Sequence, residues 1–332
     1  MKDASPPPHI VLLGTGGTIA ATAPGAATLA GYTVTEGIEA LTAAVPGIAT
    51  LARIECRQVF NEDSRAITNK MLLRLAARAD AVLADPDVDG IVITHGTDTL
   101  EETAYFLNLT LKTAKPVVVV GAMRPGSAIS ADGPLNLYNA VFLASQRQAG
   151  GLGVLVLLND RVHAARFVTK SHTTQVDAFD AAEQGCLGQV HDGRLHLYQA
   201  PMRAHTLDTD FSLAGFKTLP RVDIIYDHQD AGLHLYQASI QAGVQGIVVA
   251  ACGNGSLSPQ AEKGLRLAVR QGIACVRASR VGSGAVSPGA GDARRGLVCA
   301  GSLNPQKARV LLMLALTRTA DRAQVQAYFD RY

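Results

Sequence analysis

The sequence predicts an α/β chain: a large N-terminal domain with a mostly parallel sheet flanked by helices, then a smaller C-terminal α/β domain. Three observations predict it. Short, continuously apolar runs alternate with helical patterns from His9 to Leu158. Strands apolar on both faces belong to parallel sheets covered by helices on each side. The alternation then breaks over a glycine-punctuated, polar stretch between residues 183 and 220 and resumes beyond it.

Taken in order, residues 1–8 form a polar, proline-rich tail. Strands are expected at 10–13, 54–60, 90–94, 116–120 and 153–158, with helices at 37–45, 68–84, 99–109 and 133–148 between them. The last helix has a good start, with Asp132 as a plausible N-cap and Pro134 near the first helical position. Short alternating segments around 189–190 and 194–198, set between Gly185, Gly188 and Gly193, read as hairpin-like edge structure. A polar, non-periodic stretch up to Pro220 reads as a linker. The second domain is expected to hold strands at 222–226, 246–251, 274–278 and 297–300, with helices at 232–242, 259–271, 305–317 and 321–329. The expected division is therefore tail 1–8, first domain 9–200, linker 201–220 and second domain 221–332.

Composition narrows the function. With 332 residues and 48% hydrophobic residues, a sizeable core is available. Thirty basic against 28 acidic residues leave a net charge of +2, which points to neither a nucleic-acid nor a membrane partner. The absence of Trp argues against stacking platforms for single strands. No apolar run is long enough to span a bilayer, and the start lacks the pattern of a secretory signal. Five scattered cysteines, without a CxxC pair, read as reduced thiols. A cytoplasmic setting is expected.

The chain is organised around its first strand, which runs into Gly14-Thr15-Gly16-Gly17-Thr18-Ile19-Ala20. Ligands of open α/β sheets bind beyond the carboxyl ends of such strands. One reading is a dinucleotide fingerprint, but the third glycine it needs is replaced by Ile19. The other is a nucleophilic threonine, Thr18, which needs partners. The third strand ends in His95-Gly96-Thr97-Asp98-Thr99-Leu100-Glu101-Glu102. These residues suit a helix start, with Asp98 or Thr97 as cap and acids in the first turn. They also suit a site beside Thr18, since a helix N-terminus offers free N–H groups to anions. The fourth strand ends in Gly121-Ala122-Met123-Arg124-Pro125, and Val168-Thr169-Lys170 follows the fifth. Lys170 reads either as a surface residue or as a proton acceptor. As an acceptor its pKa of about 10.4 must be lowered by burial, against the pull of a neighbouring Asp.

Together with Ser130-Ala131-Asp132-Gly133-Pro134, Asn136-Leu137 and Leu303-Asn304-Pro305-Gln306-Lys307-Ala308-Arg309, these motifs resemble the bacterial type II L-asparaginase/glutaminase family from about residue 9 to the C-terminus. The resemblance implies an amidohydrolase with two threonine centres and neither metal nor organic cofactor. It makes Thr18 the nucleophile and Tyr32 the acceptor of its proton. Thr97, Asp98 and Lys170 match the second centre. Ser64 matches the serine that holds the substrate α-carboxylate, and the Ala122 carbonyl receives the leaving nitrogen. Gly17, Gly96 and Ser256 complete the substrate-binding set. A homotetramer, a dimer of dimers with sites shared between subunits, is implied in the same way.

Three positions depart from the family pattern, the least consequential being Ser256, where many members have Asn. After Ser64 the family has Gln or Glu to bind the substrate ammonium, where this chain has Arg65. A guanidinium repels an ammonium and pairs with carboxylates. Arg65 either faces the substrate or turns outward to Glu62 or Asp63. The family's intersubunit loop brings a Glu to the same ammonium, whereas residues 282–292 contain a single acid, Asp292. The expected activity is thus cleavage of the side-chain amide of asparagine, or an asparagine-like compound, to acid and ammonia through a threonine acyl-enzyme. The alternatives are an N-substituted asparagine or another carboxylate-bearing amide as substrate, with activity on free L-asparagine weakened, or a small-amide binding protein without turnover.

Overall fold

The computed structural model describes residues 6–25, 31, 33–215 and 217–332. Sixteen described strands and nine helices are assigned. The chain divides into two compact units, Met1–Leu213 and Ala214–Tyr332.

In the first unit the strands are β1 (His9–Gly16), β2 (Ala21–Thr22), β3 (Thr33–Val34), β4 (Arg53–Glu62), β5 (Gly90–Thr94), β6 (Val117–Val120), β7 (Val154–Leu158), β8 (Arg161–Ala164), β9 (Thr169–Lys170), β10 (Phe179–Asp180), β11 (Gly188–His191) and β12 (Arg194–Leu197). Its helices are α1 (Ile38–Ala43), α2 (Asn69–Leu83), α3 (Leu100–Thr110) and α4 (Gly133–Ser145). Eight strands form one sheet in the order β12-β11-β8-β7-β6-β5-β1-β4. The neighbours from β4 to β7 are parallel, and β8, β11 and β12 extend the edge antiparallel. β1, β5, β6 and β7 are buried along their whole length, as the unbroken apolar runs require.

The chain passes from β1 to β4 on one side and then from β4 back past β1 to β5 on the other. A reversal of this kind opens a crevice at the carboxyl ends of the two central strands, where an α/β sheet binds ligands. The loops after β1 and β5 carry Thr18 and Thr97.

The helices follow from local chemistry. Thr68 caps α2, its side chain accepting from the Met71 N–H at 3.3 Å. Leu72, Leu75, Ala76, Ala79, Val82 and Leu83 form its buried stripe, at the spacing of one helical face. The α4 start differs from the expectation. Asp132 does occupy the N-cap position, yet its side chain does not cap the helix. Its carboxylate oxygens accept from the N–H groups of Met123 and Arg124, each at 2.9 Å. Asn136 joins them, donating to the Gly121 carbonyl and to Asp132 at 3.1 Å each. The run from Asp132 to Asn136 therefore shapes the loop after β6.

The antiparallel edge is only partly foreseen. The hairpin β11–β12 sits where the alternating segments lie, but β8 follows β7 after the two residues Asn159 and Asp160, both at positive φ. The stretch read as a linker is packed in part. Phe211 is fully buried, and Thr206 and Thr209 are buried. The Lys112 ammonium donates to the carbonyls of Thr206 and Thr209 and to the Thr209 hydroxyl.

In the second unit β13 (Val222–Tyr226), β14 (Gly246–Ala251), β15 (Ala274–Ser279) and β16 (Leu297–Cys299) form an all-parallel sheet in sequence order. Its helices are α5 (His234–Gln241), α6 (Pro259–Arg270), α7 (Asp292–Arg295), α8 (Pro305–Leu316) and α9 (Arg322–Arg331). Ser258, Asn304 and Asp321 cap α6, α8 and α9 through their side chains. Val248, Val249 and Ile247 of β14 are fully buried. No described helix is long and apolar enough to cross a membrane.

Candidate active site

Three backbone loops meet at the crevice, and glycine makes the meeting possible. Gly17 has φ 85° and ψ −177°, a conformation open essentially to glycine alone. A Cβ placed on Gly17 would lie 2.2 Å from the Gly96 Cα and nitrogen. One on Gly96 would lie 2.7 Å from the Ser64 Oγ. The residues following this contact, Thr18 and Thr97, therefore flank it. Thr18 opens a short 3-10 turn through Ala20 and is buried, as is Thr97. The Gly17 N–H donates to the Glu62 carbonyl at 3.0 Å, and the Thr15 hydroxyl to the Thr94 carbonyl at 2.6 Å. β1 is thus fastened to both neighbours where its loop begins.

Lys170 reaches the loop after β5. Its Nζ donates to Thr97 Oγ1 at 2.9 Å and to Asp98 Oδ1 at 2.6 Å. Thr97 is buried while the Asp98 side chain is 43% exposed, so the pair spans the boundary between the interior and the crevice. Asp98 lies just ahead of the N-terminus of α3, where free N–H groups favour a negative charge. Gly121, next to Ala122, packs on the same residue: a Cβ there would lie 3.1 Å from the Thr97 methyl.

Ser64 is buried at the start of a 3-10 turn after β4. Its carbonyl accepts from Thr99 Oγ1 at 2.9 Å. Asp63 caps that turn, accepting from the Arg65 N–H at 2.9 Å. Arg65 turns back on the same carboxylate, with Nε 3.0 Å from Oδ1 and Nη2 2.7 Å from Oδ2. Of the two orientations open in the sequence, the structure shows the one toward Asp63. Hydrogen bonds from the Arg65 side chain hold the Asp63 carboxyl below the usual carboxylate range, against the opposing effect of burial. The pair therefore carries no net charge near neutral pH. Sequence reasoning weighed Asp63 only as a partner for Arg65 and missed its capping role; an Asp one residue ahead of a turn is the signal for it.

His95 is the remaining titratable group of this loop. Its Nδ1 lies 2.7 Å from the Gly96 carbonyl, which assigns the proton to Nδ1, and its Nε2 has no hydrogen-bond partner among the described residues. Full burial pushes its pKa down to about 4, opposed by the hydrogen bond to Gly96. An unfolded His titrates near 6.5, so between pH 6.5 and 4 the unfolded chain binds more protons. Stability from this group is complete above about pH 6.5 and is lost as pH falls to 4, by about 3 kcal/mol in all. Urea titrations at pH 7, 5.5 and 4.5 are expected to show that loss in the native chain and its absence in His95→Gln; parallel curves would disprove it.

Tyr32 lies outside the described residues. Ser256 belongs to the second unit, in a turn closed by reciprocal Cys252–Ser256 backbone bonds of 3.0 and 2.7 Å. Asp292, the single acid of residues 282–292, is buried there and committed. Arg277 Nη2 holds it at 2.6 Å, and the Gly289 N–H donates to it at 2.7 Å. Arg277 Nη1 meanwhile donates to the carbonyls of Asn254 and Gly255, each at 3.1 Å. Among the described residues no cluster of three or more His, Cys, Asp or Glu side chains is arranged to hold a metal ion.

Residues 9–203 match the family model "Asparaginase, N-terminal", and residues 221–329 match the "Glutaminase/Asparaginase C-terminal domain". The chain belongs to the type II asparaginase/glutaminase family. As a member of it, the protein is a hydrolase of amide carbon–nitrogen bonds. It is 52% identical over 326 residues to L-asparaginase 2 of Bacillus subtilis (strain 168), covering 98% of this chain and 87% of the relative. It is 46% identical over 329 residues to L-asparaginase 2 of Escherichia coli (strain K12), covering 98% and 93%. A glutaminase-asparaginase of Pseudomonas fluorescens biotype A is 44% identical over 331 residues, covering 98% and 90%. Among solved structures, a probable cytoplasmic L-asparaginase from Campylobacter jejuni matches with a TM-score of 0.96 and 45% identity, over 98% of this chain and 100% of that one. The asparaginase fold accounts for both sheets and for the paired threonine loops.

Proposed function

We propose that the protein cleaves the side-chain amide of free L-asparagine to aspartate and ammonia through an acyl-enzyme on Thr18. The observation that carries this reading is the Lys170 Nζ, 2.9 Å from Thr97 Oγ1 and 2.6 Å from Asp98 Oδ1 of the loop packed against the Thr18 loop. A threonine hydroxyl needs an adjacent base to attack an amide. In this reading Thr18 Oγ1 adds to the amide carbon and Tyr32 takes its proton. The tetrahedral oxyanion is held by N–H groups of the loop after β5. The C–N bond breaks as Tyr32 passes that proton to the nitrogen, which leaves as ammonia past the Ala122 carbonyl, and an ester remains on Thr18. Water then attacks the ester carbon, giving a proton to Thr97 Oγ1 as Thr97 passes its own to the neutral amine form of Lys170, and a proton returns to Thr18 Oγ1 as the ester C–O bond breaks and aspartate departs. Ser64 binds the α-carboxylate and Asp98 the α-ammonium. The scheme requires neither metal nor organic cofactor.

Arg65 decides the choice of amide. Because Asp63 neutralises it, the position presents a polar but uncharged pair, and a free α-ammonium meets little repulsion there. This favours L-asparagine over N-substituted analogues. The missing acid of residues 282–291 leaves Asp98 as the remaining counter-charge in the scheme and raises KM. Ammonia release from L-asparagine, D-asparagine, L-glutamine, N-acetyl-asparagine and succinamate provides the test. L-asparagine is expected to lead, with Arg65→Gln altering its KM by no more than about threefold, as befits an exposed ion pair. Preference for N-acetyl-asparagine or succinamate, reversed in Arg65→Gln, would instead make Arg65 the anchor for an additional carboxylate.

A homotetramer with sites shared between subunits, and a cytoplasmic setting, belong to the same proposal. The first is supported by the family pattern and the second by likeness to the Campylobacter protein.

A further inference from the structure

We propose that Glu101 and Thr169 are a positioning pair that sets where the Lys170 ammonium stands, acting on the reaction through Lys170 without touching substrate. The inference rests on the reading of Lys170 as a proton-transferring group.

Thr18 and Thr97 follow strands of the eight-stranded sheet, whose register places their loops. Lys170 has no such support. It is the second residue of β9, a two-residue strand paired with β10 in a separate ribbon, with Phe179 opposite Lys170 and Asp180 opposite Thr169. Its side chain is long and flexible, so the ammonium stays at a fixed point only if the backbone beneath it is held.

A side-chain contact supplies that hold. Thr169 Oγ1 donates to Glu101 Oε1 at 3.0 Å. Glu101 lies in the first turn of α3, and it is only 5% exposed. The loop leading into α3 carries Thr97 and Asp98, the two acceptors of Lys170 Nζ. One loop and helix start therefore grip β9 twice, at Thr169 through Glu101 and at the Lys170 tip through Thr97 and Asp98. The distance between ammonium and threonine hydroxyl becomes a property of five consecutive residues, 97–101. Burying a carboxylate is costly unless it is well bonded, and the N–H groups and dipole of the α3 N-terminus offset part of that cost. The sequence alone assigns Glu101 no more than a favourable place in a first helical turn.

The test is Thr169→Val, which keeps the branched shape and removes the donor. With L-asparagine, kcat is expected to fall about tenfold or more, in keeping with a displaced general base. KM is expected to stay within about twofold, and Tm within about 3 °C. Thr169→Ser, which restores the hydroxyl, should return kcat to within about twofold. Glu101→Leu should show the same split between kcat and KM; if it does not fold, the two Thr169 variants decide the matter. Full kcat in Thr169→Val overturns the proposal. So does a joint loss of kcat, KM and Tm that Thr169→Ser fails to rescue, since that marks a structural role alone. Lys170→Met separates the two levels of the argument. Wild-type kcat in Lys170→Met would refute the reading of Lys170 itself. Its loss there, with Thr169→Val fully active, would refute the positioning pair only.

Discussion

Thr18→Ala is expected to lower kcat for ammonia release from L-asparagine by on the order of 10^4-fold or more, the scale of losing a nucleophile that works as part of a unit. The folded state should survive. Thr18 is a small residue at the start of a 3-10 turn whose geometry is imposed by Gly17, and removing its hydroxyl and methyl should cost no more than about 2 kcal/mol. Urea unfolding measures that cost directly. Thr18→Ser, which retains the hydroxyl, should keep a measurable fraction of activity. Intact mass after rapid acid quench supplies a second readout, an adduct of one aspartyl group on the native chain and none on Thr18→Ala. If Thr18→Ala kept a tenth of the native kcat while Thr97→Val abolished it, the nucleophile would be Thr97. If neither variant changed a measurable turnover, the acyl-enzyme reading would fall. If the native chain bound L-asparagine without releasing ammonia, the protein would be a binding module.

Gly17→Ala is expected to be the most damaging single change to the first unit. Two independent penalties coincide. The conformation at φ 85° and ψ −177° costs a residue with a Cβ about 1–3 kcal/mol. The added methyl would also lie 2.2 Å from backbone atoms of Gly96, which have no side-chain freedom to yield. Together these should destabilise the unit by 4 kcal/mol or more, roughly the range that marks a disrupted core. Separating the Gly17 and Gly96 loops should also abolish turnover. Gly151→Ala provides the comparison. Gly151 has φ 73° with nothing within 4 Å of a built Cβ, so it should incur the left-handed backbone penalty alone, about 1–2 kcal/mol. Equal urea midpoints for the two variants would show that the contact with Gly96 relaxes freely.

Much of this site is legible in the sequence because strand ends announce themselves. An apolar run followed by Gly-Thr, twice, on strands that prove to be neighbours, is enough to bring Thr18 and Thr97 together. The strand boundaries hold for the same reason: β5, β13 and β14 fall at their expected limits because glycine, proline and polar residues bracket each apolar run. Legibility fails where a short element is defined by a partner far along the chain. β9 is two residues long, and no periodicity exists over two residues. β8 reverses direction through Asn159 and Asp160, both in the left-handed region, so a tight turn hides behind an Asn-Asp pair that looks like an ordinary strand end. Side chains with two possible tasks are also ambiguous. Asp132 stands at a helix start and serves the loop after β6. Arg65 follows the serine expected to hold the substrate and serves the cap of its own turn. In both cases the deciding partner is a backbone N–H or a carboxylate whose orientation the local sequence does not encode.

The Lys112 ammonium has its acceptors 94 and 97 residues further along, at Thr206 and Thr209. During synthesis the threonine loops and Lys170 leave the ribosome before those acceptors do. The three contacts from Lys112, just beyond α3, wait until the nascent chain through Thr209 has emerged. Closure of the first unit is thus timed by its last dozen residues. A chain cut before Thr206 would carry both threonine loops and none of these three contacts.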